Sequence, residues 1–258
     1  MKDFDQQYPG IKVNEFPTET YQSKIGPIEI SASRKSIAGR PSQYQRMKNC
    51  VRECINMDIY NLKGIDFIPE VFIDLGQGPC GEASLLANYL WPDCKIVGVD
   101  PNININHLRN IAGKDNIILY LHPVIGFYGN NPHQYWPEEA ASEMRIQRPG
   151  NQSVEAFLTK HNIDSIDVLK IDCESAEVGI LSEMKEIGIL DTVRVITGEW
   201  HWEFSRQGIN DLLREEFDIR WKWTNAGSAI EWRSFEEWTR EGRVSSKYDW
   251  DEFYAERR

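Results

Sequence analysis

The 258-residue sequence has no uninterrupted apolar run approaching the ~18 residues that a membrane-spanning helix needs, so no membrane span is expected. Its opening, MKDFDQQYPG, lacks the apolar stretch of a secretory leader, and the expectation is a cytoplasmic protein. Positive charge is short: 29 Lys and Arg stand against 40 Asp and Glu, a net charge of −11 with a pI near 5.0. Tight binding to a phosphate backbone needs a cationic surface, so nucleic acid is disfavoured as a partner. Cysteine is sparse and lacks a pairing pattern. The residues Cys50, Cys54, Cys80, Cys94 and Cys173 are odd in number and form no C-x-x-C, which speaks for reduced thiols over a disulfide framework. Cys50 and Cys54 fall four apart on an expected helix, but no nearby histidine completes a zinc site.

What is present is concentrated between Val71 and Asp100, VFIDLGQGPCGEASLLANYLWPDCKIVGVD. This reads as a buried strand (Val71 to Leu75), a turn holding Gly76, Gly78 and Gly81, a helix carrying Leu85, Leu86 and Leu90, and a second strand (Lys95 to Val99) closed by Asp100. A chain that turns from strand directly into helix needs glycine for positive φ and for close approach to a ligand. The helix start offers unpaired N–H groups, and Asp100 can take both hydroxyls of a ribose. The spacing G-x-G-x-x-G followed by an acid fits a dinucleotide and a nucleoside methyl donor alike. Asp74, two residues before the first glycine, would repel a pyrophosphate and attract the cationic methionyl end of S-adenosylmethionine. The methyl donor is therefore favoured. An NAD-dependent oxidoreductase or epimerase is the alternative, though the sequence shows no obvious Tyr-x-x-x-Lys pair.

Three regions are expected. Residues 1–65 form an arm and a capping helix: a polar stretch broken by Pro9, Gly10, Pro17, Gly26 and Pro27, with Ile28-Glu29-Ile30 as a short edge strand, then helical spacing of Tyr44, Met47, Val51, Ile55 and Ile59. The arm would cover the site or meet a second subunit, which makes a homo-oligomer conceivable. The basic cluster Arg34, Lys35 and Arg40 reads as a solvated loop. Residues 66–238 alternate strands and helices, with a third strand over Asn116–Leu121, a fourth over Ile166–Ile171 and a fifth over Thr192–Thr197. A hairpin follows, Asp218–Asn225 and Ser228–Phe235 about Ala226-Gly227. The expected fold class is α/β: a Rossmann-like doubly wound sheet, mostly parallel and seven-stranded, with a C-terminal antiparallel β-hairpin and helices on both faces. Residues 126–152 lose periodicity and would form a lid carrying His133, Tyr135 and Trp136. Residues 239–258 are highly charged and are expected to be a peripheral helix or frayed tail.

The carboxyl ends of parallel strands face the ligand crevice, which brings Asp172, Glu174, Glu177, Glu199 and His201 toward it. His201 suits proton abstraction near neutrality, with Glu199 orienting it or touching substrate. The same Asp172, Glu199 and His201 could instead hold a divalent ion that binds vicinal hydroxyls. Glu174 and Glu177 also read as acids facing a helix N-terminus, the preferred reading for Glu177.

With those residues placed, the sequence resembles the FkbM-type methyltransferases, a family of S-adenosylmethionine-dependent O-methyltransferases. The similarity rests on VFIDLG with Gly81, on Asp100-Pro101-Asn102, on IDVLKIDCESAE from Ile166 to Glu177, and on Glu199 and His201 at the next strand end; it covers about residues 70–225. The resemblance implies that Asp74 faces the donor's ammonium and that Gly76, Gln77, Gly78 and Gly81 cradle the donor. Asp100 would hold the ribose, Pro101 and Asn102 would flank the adenine, and Asp172 would stand at the methyl end. His201, Asp172 and Glu199 become the catalytic set, acting on a hydroxyl of a sugar, glycan or other small metabolite. Two departures stand out: Ser175 replaces the family's glycine, and the glycine loop is one residue longer. Ser175 also motivates a third reading, a protein that binds the donor without turnover. S-Adenosylmethionine, and not NAD, should raise the melting temperature saturably, because a ligand selective for the native state stabilises it; the reverse result would reject the methyl-donor reading.

Overall fold

The structure is a computed structural model and describes residues 18–32, 42–100, 106, 110–111, 113–120, 153–173, 176–201, 203–223, 231–234, 237 and 250–258. Its centre is an eight-stranded sheet. Five parallel strands, β3 (Val71–Leu75), β4 (Lys95–Val99), β5 (Ile117–Tyr120), β6 (Val168–Ile171) and β7 (Val195–His201), run in the order β5-β4-β3-β6-β7. Three antiparallel strands, β8 (Phe217–Trp223), β9 (Glu231–Ser234) and β10 (Trp250–Arg257), complete it as β7-β10-β8-β9.

The strands read as near-continuous apolar runs because both faces are buried, and alternate side chains serve two separate cores. On one face Ile73, Val97, Leu169, Ile196 and Ala255 pack with Phe157 of α3 (Val154–His161), with Ile180 of α4 (Glu177–Glu186) and with Ile209 of α5 (Glu203–Leu213). On the other, Phe72, Ile96, Val168, Val195 and Tyr254 pack with α1 (Gln43–Val51), the π-helical turn Arg52–Met57 and α2 (Glu82–Leu90). Helices thus lie on both faces as expected, and α3 begins at the expected serine cap, Ser153 Oγ accepting the Ala156 N–H at 3.1 Å.

Three expectations need correction. The charged segment 239–258 contains no peripheral helix at its end: β10 lies between β7 and β8, inside the sheet, and the sheet has eight strands rather than seven. Charge concealed it. In WDEFYAER the residues Phe253 and Ala255 face the first core, while Glu252 is ion-paired to Lys222 and Arg257 reaches Glu216 at 2.7 Å and the carbonyls of Leu190 and Val193. The expected hairpin is present as β8 and β9, but it joins the parallel strands only through β10; its tip, Ala226-Gly227, lies outside the described residues. The helix after Pro41 packs across a sheet face rather than capping an edge, and it widens into the π turn that stops at Asp58, φ 56°.

The strand expected at Ile28-Glu29-Ile30 exists as β2 (Gly26–Ser31), paired with β1 (Thr18–Ser23) in a sheet of its own. Two asparagines four apart in helical residues act toward β2 as a substitute strand. Asn110 Oδ1 accepts from Glu29 N at 2.8 Å and its Nδ2 donates to Glu29 O at 2.9 Å; Asn106 does the same with Ser31 at 2.6 and 3.2 Å. Among the described residues no helix is long and apolar enough to cross a membrane. Ending the chain at residue 249 should leave β7 and β8 without their shared neighbour. Limited proteolysis and circular dichroism should then show loss of the native fold, whereas intact native signals would contradict the central position of β10.

Candidate functional site

The glycine loop is held against the end of β6. Gly76 has φ 73°, and a Cβ built there would lie 1.6 Å from the Asp172 carbonyl oxygen, so only glycine lets the two strand ends meet. Gly81, φ 75°, opens α2 in the left-handed region. Gln77 lies in the loop, but its side chain turns inward beneath Gly98 and donates to Ser84 Oγ at 2.7 Å. Asp100 stands half-buried just past β4, its N–H bonded to Tyr120 O at 3.2 Å. Pro101, Asn102, Glu174, Ser175, the lid residues His133, Tyr135 and Trp136, and the basic cluster Arg34, Lys35 and Arg40 lie outside the described residues.

Asp74 corrects an expectation. It is fully buried, and Oδ2 accepts both the Ser84 N–H at 3.0 Å and the Ser84 hydroxyl at 2.7 Å, while Oδ1 lies 3.3 Å from Lys170 Nζ. This carboxylate ties α2 to β3 and neutralises a buried lysine; it does not line the cleft. Burial penalises the Lys170 ammonium, but Asp74 and then Asp172, 3.7 Å away, outweigh that cost and raise its pKa. Lys170 also donates to the carbonyls of Leu75 and Gly76 and lies over the Tyr60 ring at 5.1 Å.

Asp172, Glu199 and His201 do come together. One oxygen of each acid and one ring nitrogen of His201 all fall within 4.8 Å of one another, and Nε2 lies 3.7 Å from Asp172 Oδ1 and from Glu199 Oε2. The remaining oxygens are bridged by Tyr60, whose hydroxyl reaches Asp172 Oδ2 at 3.0 Å and Glu199 Oε1 at 3.4 Å. A closer contact to the imidazole comes from another acid. It is Glu177, read by preference as a helix-end charge, whose Oε1 lies 3.0 Å from His201 Nδ1 and also accepts the Cys173 N–H at 2.9 Å. With Nδ1–H donating to Glu177, the Nε2 lone pair faces the two acids.

These groups open into a cleft of about 640 Å³ walled by the loop residues Gln77, Gly78 and Pro79 and by Gln43, Arg46 and Met47 of α1. Sequence reasoning missed Tyr60, Lys170 and Glu82. Lys170 carried a readable signal, since a lone lysine inside the apolar strand VLKI demands a buried acid as partner; Tyr60 carried none, because its position depends on the π turn and on Thr197 Oγ1 donating to its carbonyl at 2.8 Å. Glu82, in the first turn of α2, is 3% exposed, and burial raises its pKa to about 8. Burial likewise pushes the thiols of Cys50 and Cys94 up to about 12 and those of Cys54, Cys80 and Cys173 well above their usual value, so none is a ready nucleophile.

The methyltransferase FkbM domain profile matches residues 76–239, well over half of the chain. Among curated proteins no sequence matches significantly. Among solved structures, precorrin-6y C5,15-methyltransferase from Geobacter metallireducens GS-15 aligns at 11% identity over 87% of this chain and 91% of that one, with a TM-score of 0.43. The plantazolicin methyltransferase BpumL, solved with SAH, aligns at 10% identity over 83% and 90%, TM-score 0.42. A putative SAM-dependent methyltransferase from Streptococcus mutans aligns at 10% over 95% of this chain and 57% of its own, TM-score 0.47.

Replacing Lys170 by Met should destabilise the fold by about 3–5 kcal/mol in chemical denaturation, because Asp74 is then a buried charge without its cation. Adding Asp74→Asn should recover part of that loss; a single-variant cost under ~1 kcal/mol would mean the pair is not what holds β3 to β6.

Proposed function

The chain belongs to the FkbM methyltransferase-domain family, and on that premise we propose that it transfers a methyl group from S-adenosylmethionine to a hydroxyl of a sugar, glycan or other small metabolite. The nicotinamide alternative falls with the family assignment. The donor supplies a methyl group on a positively charged sulfur, already activated for transfer. The site fits such a group: Gln77, Gly78 and Pro79 present the loop to the cleft, and the neighbouring wall is acidic, with Asp172 and Glu199 facing it. Gly76, Gln77, Gly78 and Gly81 would hold it through backbone, with Asp100 toward the ribose and Pro101 and Asn102 beside the base.

The observation that carries the acceptor reading is the convergence of Asp172 Oδ1, Glu199 Oε2 and His201 Nε2 on one point of the cleft. An acceptor hydroxyl bonded to Nε2 surrenders its proton there as its oxygen is alkylated, and Glu177 stabilises the imidazolium from the opposite nitrogen. The two acids would fix neighbouring hydroxyls, and Tyr60 keeps both carboxylates aimed inward. A second reading is favoured by the same spacing: the three atoms suit a divalent cation, with Glu177 and Tyr60 as the outer groups that hold its ligands.

The test is transfer of isotope-labelled methyl to a panel of polyols, sugars, phenols and amines. Labelled hydroxyl products are expected, and His201→Gln should lower kcat by about 10²–10⁴ while donor binding persists. Activity that survives chelators supports His201 as the base; activity abolished by chelators and restored by Mg²⁺ or Mn²⁺ supports the cation. Methylated amines alone would overturn the hydroxyl reading, and donor binding with no transfer to any acceptor would favour a binding protein.

A further inference from the structure

Asp74 is occupied by Ser84 and Lys170, so the acid assigned from sequence to the donor's ammonium does not reach the cleft. A different acid does. Glu82 follows Gly81, lines the cleft, and sits over the loop so closely that a Cβ on Gly78 would meet its Oε2 at 2.6 Å. The backbone N–H groups of Cys80 and Glu82 favour its charged form, while Oε1 is buried with no hydrogen-bond partner. A carboxyl oxygen left in that state costs free energy that a ligand N–H would relieve.

We infer that Glu82 is the residue that receives the α-ammonium of the donor's methionyl end, doing the work expected of Asp74. The inference rests on the methyl-donor reading above. Three features select a cation over a neutral partner. Both backbone N–H groups and the first turn of α2 favour the ionised carboxylate. Lys170, a cation whose charge acts on it, is engaged by Asp74 and Asp172. Burial, the largest influence, holds the unliganded acid protonated up to about pH 8, so an arriving ammonium recreates the charge pair by expelling that proton to solvent.

The groups around Glu82 are Asp74 on β3, Lys170 on β6, Cys80 in the loop, Cys50 on α1 and Cys54 on the π turn. The three thiols stay neutral and Lys170 stays charged below pH 8, because their pKa values are all raised. Below about pH 7 the α-amino group of the ligand is itself already protonated. Between pH 6 and 7 these groups hold their charge, and because His201, also in the cleft, is common to every protein compared, the difference between the parent chain and Glu82→Gln reports Glu82.

The experiment is calorimetric titration of the full chain with S-adenosylhomocysteine, which keeps the methionyl end, and with 5′-methylthioadenosine, which lacks it, at pH 6 and 7 in buffers of different ionisation heat. Close to one proton should leave per S-adenosylhomocysteine bound, with affinity rising nearly tenfold across that pH unit; 5′-methylthioadenosine should release none. Glu82→Gln should bind 5′-methylthioadenosine as before, bind S-adenosylhomocysteine at least tenfold more weakly at pH 7, and release no proton. Binding of S-adenosylhomocysteine without proton release, or release that persists in Glu82→Gln, overturns the inference alone. Failure of both nucleosides to bind overturns the methyl-donor reading with it.

Discussion

A lysine buried inside a parallel sheet is the constraint around which the other parts are arranged. Lys170 cannot leave water unless acids go with it, and the two that do, Asp74 and Asp172, belong to adjacent strands. Its ammonium also binds the carbonyls where β3 gives way to the glycine loop. One cation thus gathers the loop, the end of β6 and, through Asp172, the Tyr60 hydroxyl into a single arrangement. The cost of burying these charges is offset only when all of them are in place, which favours one geometry of the strand ends over its alternatives.

The clustered acids and histidine lie one step further along the same rows. Pairing between β6 and β7 ends at Ile171 and Gly198, so Asp172 and Glu199 emerge together at the rim, and Gly198 is needed because a Cβ there would strike the Ile171 carbonyl at 1.7 Å. His201 follows two residues later on the same face of β7 and meets Glu177 from α4. Every polar atom aimed at the cleft from this side is therefore backed by a second group: His201 by Glu177, and both acids by Tyr60. An acidic rim of this kind favours cationic or hydrogen-bond-donating groups in the cleft.

Much of this was legible in the chain, and the failures have physical causes. The strands β3, β4, β6 and β7, the glycine turn and the meeting of Asp172, Glu199 and His201 follow from apolar runs and from the rule that strand ends face the crevice. Asp74 was misread because sequence places an acid near the loop but does not say which side of the pleat it takes, and its partner Lys170 lies 96 residues later. Tyr60 depends on a π turn, which has no sequence period of its own. β10 was hidden because half its side chains are charged, and two of those charges, Glu252 and Arg257, are matched by Lys222 and Glu216, residues the sequence alone does not bring beside it.

The position of β10 has a consequence for how the molecule is made. The strand that closes the gap between β7 and β8 is the last of the described strands to leave the ribosome, so during synthesis both neighbours wait with bare edges, and an acidic, charge-studded surface helps keep nascent copies apart until residue 257 has emerged. The sheet is sealed from the inside, by its newest piece.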